Sequence, residues 1–269
     1  MTSLSLQESI RQALDNRQAR GESPILLMSH LVLGHPSLEE NLRVIDHMVA
    51  AGVEIMELQF PFSEPIADGP VIAYANQQAL DGGFKVDAGL ALLQEVCHRY
   101  PIPFLVMTYF NILFARGVET FIQQVAQAGA KGLIVPDLPL EDAAEAMALC
   151  QREGLSWIQL FTPTTSDQRM QEIGAAAQGF CYCVARKGVT GKETAFGGEV
   201  NQFIERCRQA TSTPLAVGFG VKSASDVSFL QGQAEIAVVG SEAIRIHEKE
   251  GASGVGAFFA SLRPNMLIN

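Results

Sequence analysis

Short apolar runs alternate with amphipathic segments from one end of the chain to the other. Eight runs read as strands, at 25–33, 53–59, 103–108, 132–136, 156–161, 179–184, 214–218 and 236–239. Most are unbroken blocks of Val, Ile, Leu and Phe rather than strict alternations, the pattern of strands covered on both faces in a parallel sheet. Helical stretches fall between them. Residues 39–51 place Leu42, Ile45, Met48 and Val49 on one stripe and stop at Gly52, a residue suited to the left-handed turn that ends helices. Stretches 118–128 and 141–153 stop likewise at Gly129 and Gly154, while 166–173 and 223–230 open on a serine able to cap a first turn. Helices are also predicted at 201–209 and 254–262, and residues 4–17 form an additional one before the first strand. Eight strands, each followed by a helix, over about 250 residues describe a single (β/α)8 TIM barrel with an extra N-terminal helix. No linker, repeat or low-complexity segment divides it, so the chain is read as one domain, 1–269.

Composition narrows the class. The 269 residues are 48% hydrophobic and 18% charged, enough for a large core. A formal net charge of −10 excludes the basic face that a nucleic acid needs. It leaves room for a local phosphate site, because backbone N–H groups hold an anion without any net positive charge. No leader-like segment opens the chain and no apolar run reaches membrane-spanning length, which predicts a cytoplasmic protein. Cys97, Cys150, Cys181, Cys183 and Cys207 are odd in number, irregularly spaced and lack a CxxC, so they read as buried structural thiols. No metal site is expected.

In this fold the chemistry gathers where strands end at their C-terminal side. The second strand ends in Glu57-Leu58-Gln59-Phe60-Pro61-Phe62-Ser63-Glu64-Pro65-Ile66-Ala67-Asp68-Gly69-Pro70, with three carboxylates in twelve residues. A carboxylate at a buried strand end needs a partner or a function. Glu57 and Asp68 would face one small ligand from two sides as an acid/base pair. The plainer readings make Glu57 a residue that caps the barrel by pairing with a lysine or an amide, and Asp68 an ordinary turn or N-cap aspartate. Glu64 reads as a solvent or interface position.

Glycines cluster after the last three strands: Gly188-Val-Thr-Gly191, Gly218-Phe-Gly220 and Gly240-Ser241. A short helix starting near Ser241 would complete the phosphate cup recurrent in this fold. Neither a P-loop nor a dinucleotide fingerprint is present. Tyr109 after the third strand, Tyr182 in the sixth and Phe219 after the seventh would stand at the same mouth. Carboxylates, a phosphate cup and flat side chains together describe an aromatic, largely apolar substrate carrying one phosphate. His30 and His35 flank the end of the first strand and read as structural. A phosphate-handling isomerase is disfavoured because no His or Lys stands beside Glu57 as a base.

The segment from Glu57 to Pro70 resembles the signature of the tryptophan synthase alpha chain family. Leu33-Gly34 with Pro36, Tyr109 with Asn111, Pro136-Asp137-Leu138-Pro139, Arg186 with Gly188-Val-Thr-Gly191, Gly218-Phe-Gly220 and Val239-Gly240-Ser241 follow in the same order. The resemblance implies retro-aldol cleavage of indole-3-glycerol phosphate to indole and glyceraldehyde 3-phosphate in tryptophan biosynthesis. It implies Glu57 as the acid/base at indole C3 and Asp68 as the carboxylate beside the indole N–H. Thr190 would close onto Asp68 when ligand binds. Gly191, Gly220, Gly240 and Ser241 would hold the phosphate, and Tyr182, Tyr109 and Phe219 would line the indole pocket. No cofactor is implied for this chain; pyridoxal phosphate belongs to a partner beta chain, in an alpha2-beta2 tetramer. The partner face would carry Glu64 and the 111–114 segment. Gln59 stands where the family commonly has glycine and Glu64 where it has aspartate; His30, Val32 and His35 stand near positions of an aromatic, a threonine and an aspartate. Two variants of the reading stay open: a stand-alone lyase, and a poor catalyst that mainly activates its partner.

Overall fold

The computed structural model describes residues 4–184, 198–218 and 220–263. Its strands are β1 (Leu26–Val32), β2 (Ile55–Gln59), β3 (Phe104–Met107), β4 (Gly132–Ile134), β5 (Ser156–Trp157), β6 (Gln159–Phe161), β7 (Cys181–Val184), β8 (Leu215–Gly218) and β9 (Ile236–Val239). All neighbours pair in parallel, in the order β5-β4-β3-β2-β1-β9-β8-β7-β6. The two ends of that order are adjacent in the chain. The predicted strand 156–161 pairs through its first half with β4 and through its second with β7, so one run closes the sheet into a barrel.

The strands look uniformly apolar because they divide their side chains between two cores. Leu26, Met28, Ile55, Leu105, Ile134, Ile158, Phe180, Ala216 and Ile236 fill the barrel interior, whereas Leu27, Leu31, Met56, Leu58, Val106, Leu133 and Val217 pack against the surrounding helices. Cys181, Cys183 and Cys207 lie buried in that outer layer, while Cys97 is only half-buried; all five cysteines are free thiols.

The N-terminal helix α1 (Leu6–Ala19) starts with Ser5 and Glu8 in a reciprocal cap and seals the barrel floor. Its Leu6 and Ile10 belong to the interior cluster. A Cβ at Gly179 would stand 2.7 Å from Leu6 Cδ2, so glycine is what lets the helix come this close. Helices α2 (Leu38–Ala50), α6 (Val118–Gln127) and α7 (Ala144–Arg152) end before Gly52, Gly129 and Gly154, each at positive φ as expected. Ser166 and Ser223 cap α8 (Asp167–Ala175) and α10 (Ala224–Leu230). On either side of α10 lie α9 (Gly198–Ala210) and α11 (Ser241–Ser261), the latter kinked at Gly251. Three further helices, α3 (Pro70–Asp81), α4 (Val86–Arg99) and α5 (Phe110–Arg116), lie where the chain gave no start signal. None has a side-chain cap.

Candidate active site

At the C-terminal ends of the strands the inward positions become polar. The parallel register sets His30 on β1 directly opposite Glu57 on β2. Because side chains alternate faces along each strand, Met28 and His30 share the inward face with Ile55, Glu57 and Gln59. His30 Nδ1 lies 3.2 Å from Glu57 Oε1, and both side chains are about as buried as the apolar core around them. The other oxygen of Glu57 and the other nitrogen of His30 are buried and have no hydrogen-bond partner among the described residues.

This arrangement departs from two sequence expectations. Among the described residues Glu57 pairs with neither lysine nor amide, and a histidine does stand beside it. The isomerase reading therefore loses the ground on which it was disfavoured.

Asp68 enters from the loop after β2. Its Oδ2 accepts from Gln59 Nε2 at 2.7 Å and from the Tyr109 hydroxyl at 3.0 Å. Gln59 is steadied by Asn76 of α3, whose Oδ1 also accepts from the Phe62 amide at 2.9 Å. The Tyr109 oxygen accepts from the Ala67 amide at 3.2 Å, and its ring stacks on Phe62 with centroids 5.2 Å apart. The loop bearing Asp68 is thus held by side chains from β2, from the turn after β3 and from α3. Phe110 at the start of α5 donates its amide to Asp137, which fixes the turn after β3.

Electrostatics follow from enclosure. Burial opposes the charged form of His30, but the adjacent Glu57 carboxylate, with Asp68 and Gln59 adding, holds the imidazole above its ordinary value. Burial raises the Asp68 carboxyl above its ordinary value, against the pull of His30, Gln59 and Tyr109. Burial, then the Glu57 charge, pushes the Tyr182 phenol well up, so it remains a neutral donor.

One wide cavity of about 1800 Å³ opens here. It is lined by Glu57, Asp68 and His30, by Tyr182, Gly218, Gly220, Gly240 and Ser241, and by the apolar Met107, Ile134, Ile158 and Val238, with Gly240 close against His30. Gly240 precedes α11 with no side chain capping it, and Gly240, Ser241 and Glu242 line the cavity, so the positive end of that helix lies at its edge. Six of the residues singled out from sequence thus meet at one mouth. Tyr109 is fully buried behind Asp68 instead of lining the cavity wall. Thr190, Gly191 and Phe219 lie outside the described residues.

His30, Gln59 and Asn76 are the members that sequence reasoning did not assign to the site. Period-two alternation from Met28 and from Ile55 was the available signal. Among the described residues no group of three or more His, Cys, Asp or Glu could hold a metal ion, and no helix is long and apolar enough to cross a membrane.

Comparison with known proteins agrees in sequence and in structure. The family profile described as tryptophan synthase alpha chain matches residues 16–258. The tryptophan synthase alpha chain of Desulforapulum autotrophicum is 51% identical over 246 residues, covering 91% of this chain and 97% of that protein. That of Syntrophotalea carbinolica is 49% identical, covering 92% and 98%. Among solved structures, tryptophan synthase from M. tuberculosis in its aminoacrylate-bound form superposes with a TM-score of 0.84 at 27% identity, covering 94% and 97% of the two chains.

Proposed function

We propose that Glu57 and Asp68 perform the bond cleavage in this chain, which belongs to the tryptophan synthase alpha chain family and, as the alpha subunit, cleaves indole-3-glycerol phosphate in tryptophan biosynthesis. The carbon–carbon bond breaks only if indole C3 can accept the electron pair, so C3 is protonated first. Glu57 supplies that proton and afterwards takes the proton of the glycerol hydroxyl as the carbonyl forms. Protonation leaves a cationic ring whose N–H sits beside Asp68, a charge that is stabilised only as the barrier is approached. The observation that carries the reading is Glu57 itself: a carboxylate on a buried strand, with one oxygen unpartnered among the described residues, on the cavity that the uncapped start of α11 also lines.

Gly220, Gly240 and Ser241, together with Gly191, are assigned to the phosphate, using backbone N–H groups and the positive end of α11. Tyr182 and Phe219 are assigned to the indole ring; Tyr109 acts on it indirectly, by holding Asp68. Thr190 is assigned to closure over Asp68, which would exclude water and strengthen every charge inside.

This chain asks for no cofactor of its own, and pyridoxal phosphate is placed in the partner beta chain. An alpha2-beta2 tetramer in the cytoplasm, with the whole chain as one domain, is the expected working form. Glu64 is exposed, and Ile66 and Phe114 are 80% and 69% exposed near the mouth, which suits a partner face there. Of the apolar run 112–114, Phe114 is exposed and Ile112 half-buried, whereas Leu113 is fully buried and faces the core.

The test is indole release from indole-3-glycerol phosphate by the purified chain, with and without a beta chain, for wild type and Glu57→Gln. Release that rises with the partner and collapses in the variant supports the assignment. Undiminished release in Glu57→Gln refutes it. Full speed without a beta chain would favour a stand-alone lyase.

A further inference from the structure

We propose that His30 is a positioning residue for this reaction: it holds Glu57 through Nδ1 and shares with it the one proton that the cleavage moves. The inference rests on the assignment of Glu57 as acid/base and adds to it.

The argument begins with the barrel register. His30 and Glu57 are direct parallel partners on adjacent strands, both inward and both nearly inaccessible, 3.2 Å apart. A buried carboxylate and a buried imidazole at that distance are joined by one charge-assisted hydrogen bond, along which a proton can pass between them. The pair is asymmetric. Glu57 Oε1 meets the imidazole while Oε2 has no hydrogen-bond partner among the described residues; with Oε1 fixed, Oε2 is left for substrate in the cavity that Tyr182 also lines. A lone glutamate at a strand end would rotate about its last torsion; an imidazole locked in a strand removes that freedom.

The surrounding groups fit a shared proton. Gln59 from β2, Asp68 from its loop and Tyr182 from β7 face the pair, and Tyr182 stays protonated. On its other side His30 borders a cavity of about 30 Å³ with His35 and His247, the latter paired to Glu40 at 2.9 Å. Glu57 and Asp68 both favour retention of the proton by the imidazole, and burial alone opposes it.

The step balances. The pair starts with one proton, held in the reactive form on Glu57 Oε2 while Oε1 accepts from His30 Nδ1–H, and it passes from Oε2 to indole C3. The carbon–carbon bond then breaks, its electrons returning the ring to neutral indole. The glycerol hydroxyl proton goes to Glu57, and the pair again holds one proton.

The experiment is the pH dependence of kcat for indole release by the full chain with a beta chain, comparing wild type, His30→Asn, His30→Phe and Glu57→Gln. Asparagine keeps an N–H donor but does not titrate. The basic limb of kcat is expected to fall by about one pH unit or more in both His30 variants, because the proton is then held by a carboxyl alone. His30→Asn should keep kcat within about tenfold at the acid optimum, His30→Phe should lose roughly another tenfold, and KM should change little in either. An unmoved basic limb with an inactive Glu57→Gln would overturn the role of His30 alone. An active Glu57→Gln would overturn the assignment of Glu57 and the pair with it. Should a His30 variant fail to fold, the His30 imidazole is followed by NMR: its titration should lie above 6.5 in wild type and drop in Glu57→Gln. Equal titrations in the two chains would refute the shared proton.

Discussion

The floor and the mouth of this barrel are made by the same strands and follow opposite rules. At the floor, Met28, Ile55, Leu105, Phe180, Ala216 and Ile236 interlock with one another and with Leu6 and Ile10 of α1, an apolar layer with no chemistry to do. Two residues further along β1 and β2, the inward positions hold His30, Glu57 and Gln59, with an unpartnered buried atom on each. Such atoms cost about 1–3 kcal/mol apiece unless a ligand satisfies them. The difference teaches how the fold divides its tasks: interdigitated apolar layers below supply the stability that lets the layer above remain electrostatically unfinished.

The sharpest way to break the comparison is Asp68→Asn. If the mouth is built for charge development, removing that charge should lower kcat by about 10²–10³ with KM little changed, as measured by steady-state indole release. Stability should move the other way. Burial holds the Asp68 carboxyl above its ordinary 3.8, so the folded chain keeps a proton that the unfolded chain releases. As pH rises from there through the folded value, wild type loses stability and the asparagine variant does not. Near neutral pH the variant should therefore melt at a higher temperature than wild type. A lower melting temperature in Asp68→Asn, growing with pH, would show that the mouth contributes to stability as the floor does.

Ile55→Ala tests the floor. Ile55 is 1% exposed, in the same strand and on the same face as Glu57. Truncation leaves a cavity and should cost about 2–5 kcal/mol in denaturant unfolding. Below the melting transition, the pH profile of kcat should keep its shape. A changed profile would mean that the apolar layer positions Glu57 directly.

Legibility in the sequence followed the same division. The barrel could be read because its strands are buried on both faces and because helices carrying serine caps or glycine stops announce their ends. Helices α3, α4 and α5 could not: Gly69-Pro70 looks like a turn, and no capping side chain precedes Val86 or Phe110. Glu57 and Asp68 were legible as a charged break in an apolar run, and the glycines as repeated strand-end punctuation. His30 was not, because its meaning depends on a residue 27 positions away and on a register that only the closed sheet sets. Tyr109 was placed at the right mouth but one layer too far forward, since a tyrosine after a strand gives no sign of which hydrogen bond its hydroxyl will take.

The glycine side of the mouth gives a smaller effect of a different kind. Gly220 has φ +78, a conformation costing an L-residue about 1–2 kcal/mol, although a Cβ there would touch nothing within 4 Å. Gly220→Ala should therefore move the backbone rather than clash. Its signature should be a KM for indole-3-glycerol phosphate raised by roughly tenfold, with kcat within a few-fold. A fall in kcat at constant KM would transfer Gly220 from phosphate binding to the chemical step.

Gln59→Ala should have the smallest effect and discriminates most finely between a mouth residue that reacts and one that holds. Gln59 donates to Asp68 at 2.7 Å and leans on Asn76, so the substitution removes one of two donors from that carboxylate and leaves the Tyr109 hydroxyl. A hydrogen bond to a charged group is worth about 1.5–3 kcal/mol when lost in a buried site, less where a second donor remains. With Tyr109 in place, kcat should fall by about three- to tenfold. Asp68 should also titrate higher than in wild type, because a group that favours its charged form is gone. Following the Asp68 carboxyl by NMR while assaying kcat separates the two consequences. A higher Asp68 titration with an unchanged kcat would mean that the tether sets the charge of Asp68 without setting its place. If both move together, Gln59 does at Asp68 what His30 does at Glu57: each carboxylate of the pair has its own fixed neighbour, drawn from the same two strands whose lower halves form the floor.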